Sequence, residues 1–415
     1  MIEGGRVAPL IVVKIIGSVG LPIIFAFGPE WGNEKEQARS PVFQRPIIED
    51  LRTGAPQEAG LSPSVLDSVS MMMRRAVADS VFPGAVLLVA RRGIIVLHQT
   101  FGNLGYGALA QPTPLNAIYD LASVTKVVAA TTACMILHER GLLDLDAPAQ
   151  NYLPDFAGEK KDQVTVRRLL THCAGLAPFR LYFKEKNSAE EILAAIMQEQ
   201  LEHLPGAKTA YSDLDFILLG RVVETLSGVT LDKFCEGNIF LPLRMKDTFF
   251  RPSTPVLSRV APTEFDPWRG RLTHGEVHDE NAFALGGVSG HAGLFSTARD
   301  LATFLQMLLN GGVYKGARLL KPETILEFTR RQNIAPGSSR ASGWETADGH
   351  NSAGKRMSAR AFGHTGFTGT SVWADPEQEM FVILLSNRVH PSRRNTKLLK
   401  FRPLIHDAIM RAVIN

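Results

Sequence analysis

A serine and a lysine lie three residues apart in the stretch YDLASVTKVVAATTAC, residues 119 to 134. If Ser123 lies in the first turn of a helix, Lys126 shares its face, because residues i and i+3 of a helix are neighbours. A lysine that begins a buried helix is costly unless it is paired or used in chemistry. The pattern therefore predicts either a lysine whose amine reaches water from the helix end or a nucleophile beside its base.

Two further polar groups occur where turns meet regular structure. In PGAKTAYSDLDFILLG, Tyr211-Ser212-Asp213 stands just before a predicted helix, so a polar turn can present these side chains to a cleft. In AFGHTGFTGTSVW, His364-Thr365-Gly366 opens a predicted strand rich in small residues. A substrate backbone could lie against such a strand as an added strand.

Together, the three motifs resemble the signature of the penicillin-recognising serine hydrolases, specifically the class C β-lactamase group with its DD-carboxypeptidase and esterase relatives. That signature is S-x-x-K, then Y-x-N, then K-T-G or H-T-G. The sequence has SVTK at 123–126, YSD at 211–213 and HTG at 364–366, in the same order. The likeness covers roughly residues 55 to 413.

The resemblance implies an α+β fold of the β-lactamase/transpeptidase type, with an antiparallel sheet flanked by helices and an inserted all-helical subdomain. The residue pattern agrees, because β-rich runs occur near both ends of the likeness and helical runs between them. The strands are predicted at 84–90, 93–100, 366–375 and 379–387. Helices are predicted at about 62–79, 123–140, 165–171, 188–200, 212–227, 230–240, 297–310 and 397–413.

Acyl transfer through a covalent serine ester is the chemistry that the resemblance implies. Ser123 would be the nucleophile, and a serine hydroxyl needs an adjacent base at neutral pH. Lys126 fits that role if burial keeps it neutral, and Tyr211 fits it if Lys126 stabilises the phenolate. The backbone N–H groups of Ser123 and Phe367 would form the oxyanion hole.

The resemblance also implies a set of substrate contacts, and two of them depart from the family pattern. Asp213 replaces the usual asparagine and removes an amide donor, and His364 replaces the lysine of class C β-lactamases. Both changes favour peptidoglycan-type D-Ala peptides or esters over β-lactams. The expected substrate-binding residues are Asp213, His364, Thr365, Gly366 and His291.

Two alternatives to this DD-carboxypeptidase or esterase function stay open. One is a β-lactamase, and the other is a catalytically silent envelope protein that binds cell-wall peptides. The intact Ser123, Lys126 and Tyr211 argue against silence, because a pure binder needs no pair of nucleophile and base. The expected partner is a small peptide, ester or β-lactam.

Neither a metal nor a cofactor is expected. The segment HGEVHDEN, residues 274 to 281, lacks the H-E-x-x-H spacing and is predicted to be a loop lining the cleft, with His291 nearby as a substrate contact. The polar run 337–360 is predicted to be a rim loop, in which Trp344 is either a substrate platform or a packing residue. The cysteines are far apart in apolar runs, which indicates buried thiols.

The N-terminus differs from the rest, because residues 7–27 are apolar except for Lys14 and Ser18. We expect residues 1–28 to be a signal peptide or membrane anchor, 29–54 a linker and 55–415 the hydrolase domain. These features predict a protein of the bacterial cell envelope, with membrane association only through residues 7–27. With 45% hydrophobic residues, a formal net charge of +4 and scattered basic residues, the chain has the composition of a globular protein and not of a nucleic-acid binder. The sequence leaves the oligomeric state open.

Overall fold

The computed structural model describes residues 47–414. The strands of this part, in chain order, are β1 (Arg52–Thr53), β2 (Gly84–Arg91), β3 (Ile94–Gly102), β4 (Tyr119–Asp120), β5 (Phe249–Phe250), β6 (Phe265–Asp266), β7 (Arg271–Leu272), β8 (Leu294–Ser296), β9 (Val313–Tyr314), β10 (Ala317–Arg318), β11 (Glu345–Thr346), β12 (Phe362–Thr365), β13 (Ser371–Asp375) and β14 (Met380–Ser386). Its α-helices are α1 (Pro63–Ala78), α2 (Thr132–Glu139), α3 (Val166–Leu170), α4 (Tyr182–Glu185), α5 (Ala189–Gln198), α6 (Asp213–Ser227), α7 (Leu231–Cys235), α8 (Glu280–Ala284), α9 (Ala298–Leu309), α10 (Pro322–Thr329) and α11 (Lys397–Met410).

One seven-stranded sheet organises the described residues, in the order β1-β3-β2-β14-β13-β12-β11. Its neighbours are antiparallel except for β1 and β3, which are parallel. The strands predicted at 84–90 and 93–100 are confirmed as β2 and β3, which form a hairpin. Arg92 and Gly93 turn the chain with φ of +52° and +76°, the left-handed values that a tight two-residue hairpin turn requires.

Alternate residues of the strands enter two cores on opposite faces of the sheet. On β2, Val86 and Leu88 belong to the larger core beneath the helices of the chain's middle, and Leu87 and Val89 belong to the core under α1 and α11. This alternation follows from the two-residue period of a strand. The predicted α+β class, with a largely antiparallel sheet and flanking helices, is confirmed.

Three expectations about the elements are corrected. The insertion is not all-helical, because β4, β8 and β5 form a three-stranded sheet inside it. The strand predicted at 366–375 begins only at Ser371, as β13, because residues 366–370 turn the chain back after β12 ends at Thr365. His364-Thr365-Gly366 therefore lies at the end of a strand and not at its start.

The segment before α1 contributes to the main sheet. Arg52 and Thr53 of β1 pair with Ile94 and Ile95 of β3, and Leu51 is buried. These residues stand on the linker side of the predicted boundary at residue 54, and the segments predicted to be a signal or anchor and most of the linker lie outside the described residues. Within residues 47–414, we found no helix long and apolar enough to cross a membrane.

Two side-chain expectations are settled by burial. Trp344 is fully buried between Phe304 and Phe362, at ring distances of 6.5 and 5.0 Å, so it is a packing residue and not a substrate platform. The buried free thiols predicted from the sequence are confirmed for Cys134, Cys173 and Cys235.

Candidate active site

Ser123 lies in a tight turn between β4 and the helix that leads into α2. Ala122 before it has φ of +46°, a left-handed value that is unusual for a residue with a side chain. The carboxylate of Asp120 stabilises the turn, because Oδ1 accepts from the Ala122 N–H at 2.8 Å and Oδ2 accepts from the His278 N–H at 2.6 Å. Backbone strain at this position is consistent with a functional site.

Lys126 begins a wide, π-type helical turn that continues to Thr131, and its side chain is fully buried. Its Nζ lies 2.9 Å from Ser123 Oγ, 2.7 Å from Asp213 Oδ1 and 3.1 Å from the His291 carbonyl oxygen. The interpretation of Lys126 as a lysine whose amine reaches water from the helix end is therefore wrong. Single π-type turns inside helices are often found at functional sites.

The electrostatics around Lys126 favour its ammonium form. Burial works to lower the pKa of Lys126, but the carboxylate of Asp213 and the nearby Tyr211 outweigh it, so the pKa lies above its ordinary value. Asp213 begins α6 and faces this ammonium with its side chain 19% exposed. The pair satisfies the requirement that a buried charge be matched.

Tyr211 is placed just before α6, with its ring near several nitrogen-containing groups. Lys126 Nζ lies 5.0 Å from the ring centroid and the Arg340 guanidinium carbon 5.2 Å from it. The His172 and His364 rings lie 4.4 and 6.0 Å away, centroid to centroid. Burial raises the pKa of Tyr211, and the charge of Lys126 together with hydrogen bonds to Lys126 and Ser123 opposes that rise.

The turn after β12 is attached to the Ser123 turn by hydrogen bonds. Thr370 Oγ1 donates to the Leu121 carbonyl at 2.9 Å, and Thr368 Oγ1 donates to the Asp120 carbonyl at 2.7 Å. A Cβ at Gly366 would lie 2.1 Å from Thr370 Oγ1 and 2.3 Å from the Leu121 oxygen, so only glycine fits there. Phe367 follows, half exposed, on the wall of the same cavity as Ser123.

His364 is buried and uncharged. Burial lowers its pKa well below the ordinary value, and the charges of Arg340 and Lys126 act in the same direction. Its Nδ1 lies 2.8 Å from the Thr365 carbonyl oxygen. Because that oxygen can only accept, Nδ1 carries the proton and Nε2 has a free lone pair.

The three motifs open into one cavity of about 670 Å³. The structure brings all the predicted site residues to this cavity or, for buried Lys126, directly behind it. Arg340 and Arg402 line it as well, and each has a buried guanidinium N–H without a hydrogen-bond partner among residues 47–414. Burial lowers the pKa of Arg402 to about 10, so this group is still a cation at neutral pH.

His291 reaches the site through its backbone. Its carbonyl accepts from Lys126, while its ring lies 2.8 Å from Ser289 Oγ and 2.9 Å from Asp279 Oδ1. One ligand atom each from Asp213, Asp279 and His291 lie within 4.8 Å of one another, a group that could hold a metal ion. The ammonium of Lys126 lies 2.7 Å from Asp213, so it already balances negative charge in this cluster, and acyl transfer to a serine needs no metal.

Sequence reasoning missed Asp120, His172, Asp215, Arg340 and Arg402. Asp120 offered a signal, since an acidic residue in the apolar run before Ser123 must satisfy its charge locally. Asp215 offered the same signal, two residues after Asp213 in an apolar run, whereas His172, Arg340 and Arg402 come from segments distant in sequence and offered none.

A serine whose hydroxyl meets a buried lysine and tyrosine, beside a strand that ends in His-Thr-Gly on an antiparallel sheet, defines a penicillin-recognising serine hydrolase. The chain belongs to the beta-lactamase family, whose model, described as "Beta-lactamase", matches residues 69–404. It is a serine hydrolase.

Relatives and solved structures agree with this assignment. A protein of Salmonella agona (strain SL483), named "Putative D-alanyl-D-alanine carboxypeptidase", is 33% identical over 386 residues, covering 84% of this chain and 88% of its own. The fold is similar to a penicillin-binding protein homolog from Caulobacter crescentus, with TM-score 0.65 and 22% identity over 82% of this chain and 97% of that one. It is also similar to a family VIII carboxylesterase, with TM-score 0.65 and 21% identity over 85% and 99% of the two chains.

Proposed function

We propose that this serine hydrolase acts on peptidoglycan-type peptides that end in D-Ala-D-Ala, and that Ser123 is the residue that becomes acylated. The observation that carries the proposal is the contact of Ser123 Oγ with Lys126 Nζ at 2.9 Å, inside a cavity that Tyr211 also lines. The first step of the proposed reaction forms a bond between Ser123 Oγ and the substrate carbonyl carbon. The terminal D-alanine leaves with a proton, and water then hydrolyses the acyl ester.

Tyr211 is the proposed general base. Lys126 is held as an ammonium by Asp213, so in the resting enzyme it has no lone pair with which to take the serine proton. A fixed positive charge 5.0 Å from the Tyr211 ring instead reduces the cost of forming a phenolate. Lys126 as base is the alternative, which would require transfer of one of its own protons first.

The developing negative charge on the carbonyl oxygen needs donors that are already in place. The backbone N–H groups of Ser123 and Phe367 are the proposed oxyanion hole, as expected from the sequence. The hydrogen bonds of Thr368 and Thr370 to residues 120 and 121 support this assignment, because they fix the Phe367 turn against the Ser123 turn. Loss of one such donor typically lowers the rate by ~10²–10³-fold.

Arg340 and Arg402 support a preference for substrates with a free terminal carboxylate. Both line the cavity near His364, and each has a buried N–H free to donate among the described residues. The carboxyl of Glu345 interacts with both arginines: burial raises its pKa, and the charges of Arg340 and Arg402 oppose that rise. Two guanidinium groups and one carboxyl leave a net positive charge that would attract an anionic substrate end.

The other proposed contacts come from the strand end and its surroundings. Thr365 and Gly366 would meet the substrate backbone, and neutral His364 would accept a hydrogen bond through Nε2. Asp213 and His291 would act mainly by holding Lys126, since each gives it an oxygen acceptor.

A place in the bacterial cell envelope is part of the proposal. The Salmonella agona relative is named "Putative D-alanyl-D-alanine carboxypeptidase", an activity that would require access to the cell wall. The apolar residues 7–27 would provide export or anchoring, as expected from the sequence. Recovery of the native protein from the cytosol after cell fractionation would contradict this placement.

The test is acylation and turnover by wild type and Ser123→Ala. Fluorescent penicillin should label wild type at Ser123, and mass spectrometry of the labelled peptide should identify the site. Steady-state assays then compare a D-Ala-D-Ala peptide, the same peptide with an amidated C-terminus, a p-nitrophenyl ester and a penicillin. We expect the free peptide to have the highest kcat/KM and S123A to lose all four activities.

Each other outcome has a defined meaning. Fastest turnover of the penicillin would identify a β-lactamase, and fastest turnover of the ester would identify an esterase. Binding of the peptide without labelling or turnover would identify a silent envelope protein. To test the carboxylate preference, Arg402→Met should raise KM for the free peptide and leave KM for the amidated peptide nearly unchanged, with exposed Arg360→Met as the matched control.

A further inference from the structure

His172 contacts both the ring of Tyr211 and the backbone on either side of it. Its backbone carbonyl accepts from the Ala210 N–H at 2.8 Å, and its Nδ1 accepts from the Ser212 N–H at 3.1 Å. The two bonds bracket Tyr211 in the chain, while the imidazole packs on the Tyr211 ring at 4.4 Å. One residue thus fixes both the backbone and the ring of Tyr211.

The protons of this arrangement can be assigned from its hydrogen bonds. Since the Ser212 N–H points at His172 Nδ1, that nitrogen carries a lone pair and no proton. Asp215 Oδ2 lies 3.0 Å from the same nitrogen. A carboxylate oxygen there would face the lone pair and be repelled, whereas a protonated carboxyl can share that lone pair with the Ser212 N–H in a three-centre hydrogen bond.

Burial favours the same uncharged state. His172 and Asp215 are each about 1% exposed. Burial raises the pKa of Asp215 well above its ordinary value and lowers that of His172 well below. The charges of Lys126 and Arg340, which face His172, further disfavour an imidazolium.

We propose that His172 and Asp215 are positioning residues for Tyr211, and that they act as an uncharged hydrogen-bonded pair and not as a proton relay. The inference rests on the proposed role of Tyr211 as general base. It assigns to the pair the task of holding the phenol at Ser123 and Lys126. Displacement of a catalytic group by about 1 Å can lower a rate ~10²-fold.

An uncharged pair has an advantage that a charged one lacks. An ionised carboxylate behind Tyr211 would add to the negative charge of Asp213 and oppose formation of the phenolate. An imidazolium would repel Lys126, whose charge stabilises that phenolate. A neutral pair can hold Tyr211 in place without either effect.

The test compares substitutions that keep or remove the hydrogen bonds, in the full chain. Asp215→Asn keeps a donor to Nδ1, whereas Asp215→Leu removes it. His172→Asn keeps an acceptor for the Ser212 N–H and tolerates the backbone φ of +57°, whereas His172→Ala removes both acceptor and ring. We expect D215L and H172A to lower kcat for acylation ~10–100-fold with less than about threefold change in KM.

The conservative variants should restore most of this loss, D215N nearly completely and H172N in part. All rates are expressed per active site, counted by labelling with fluorescent penicillin, so that partial unfolding does not imitate a loss of kcat. His138→Ala is the matched control, because the His138 imidazole also uses Nδ1 for one bond, at 2.8 Å from the Leu143 oxygen, and packs on the Phe328 ring. It should leave kcat unchanged.

Two results would overturn the inference. If D215N loses as much kcat as D215L, or shifts the pH dependence of kcat, the pair is charged and takes part in proton transfer, as carboxylates do in serine-histidine-aspartate triads. If H172A keeps the wild-type kcat per labelled site, the pair does not position Tyr211. Failure of the proposed function would look different, because the wild type itself would then show no acylation at Ser123.

Discussion

Replacement of Asp213 by asparagine changes one charge and almost no volume, so it isolates the electrostatic role of this carboxylate. In the wild type, Asp213 keeps Lys126 protonated and its negative charge opposes ionisation of Tyr211. In the variant both constraints are lost. Whichever of the two groups is the base, its pKa falls, and the deprotonated fraction at a given pH increases.

The size of the effect follows from the geometry of the pair. The two charges are 2.7 Å apart, Lys126 is fully buried and the Asp213 side chain is only 19% exposed. An opposite charge at such short range typically changes a pKa by about 1–3 pH units, which corresponds to about 1.4–4 kcal/mol. Two charges at about 4 Å near a protein surface interact by about 4 kcal/mol, which agrees with the upper end of that range.

The measurement is the pH dependence of kcat/KM for acylation by a penicillin and by a simple ester. Rate requires the deprotonated base, so kcat/KM rises with pH along the acidic limb. A lower pKa of the base moves this limb to lower pH in Asp213→Asn, by about 1–3 pH units if Lys126 is the base and by less if Tyr211 is, because only Lys126 is in direct contact with Asp213. The asparagine also restores an amide donor, so acylation by the penicillin should increase relative to acylation by the ester.

Asp213→Ala serves as the control, because it removes the charge without adding the amide. It should displace the acidic limb as D213N does but should not change the ratio of penicillin to ester. An acidic limb that stays in place, or moves to higher pH, in both variants would refute the assignment of Asp213 as the group that controls the base. An unchanged ratio in D213N would mean that residue 213 does not touch the substrate.

Three further predictions follow from the geometry. Gly366→Ala should lower kcat by ~10²–10³-fold, measured by stopped-flow acylation, because its Cβ would displace the turn that presents the Phe367 N–H. Asp120→Asn should lower the free energy of unfolding by about 1–3 kcal/mol in urea titrations, since the amide puts an NH2 donor in place of one of the two oxygens that accept from the Ala122 and His278 N–H groups. Burial alone would raise the pKa of Glu264, but hydrogen bonds to His278 and Arg393 lower it to about 2 from an ordinary 4.5. Its stabilising contribution is therefore complete above pH 4.5 and is lost as pH falls toward 2. Glu264→Gln should flatten the plot of unfolding free energy against pH in this interval, and an unchanged slope would refute this role of Glu264.

The sequence was informative wherever chemistry depends on local spacing. Ser123 and Lys126 are one helical turn apart, so their contact follows from helix geometry alone. The β2 and β3 hairpin follows from the Arg92-Gly93 turn between two apolar runs. His364 and Thr365 were predicted to begin a strand, but they end one. The small residues 366–370 have the composition of a strand, although they form the turn that is hydrogen-bonded to Leu121.

Interactions between distant segments could not be read from the sequence. Asp213 looked like a substrate contact because it stands where the family has an amide donor, and only the fold shows that its carboxylate meets Lys126. Trp344 lies in a polar run, and the sheet that buries it uses residues from both ends of the described chain. His172 and Asp215 meet across 43 positions, a separation that carries no periodic signal.

The central strand of the main sheet comes from the last part of the described chain. β14 pairs with β2 across seven residues, and the Ile414 N–H donates to the Gly60 carbonyl at 3.0 Å. While the ribosome is still making residues 300–370, the early hairpin therefore has an unpaired edge with no partner yet synthesised. The main sheet therefore cannot close before β14 has been synthesised, and until then β2 exposes the edge that β14 will cover.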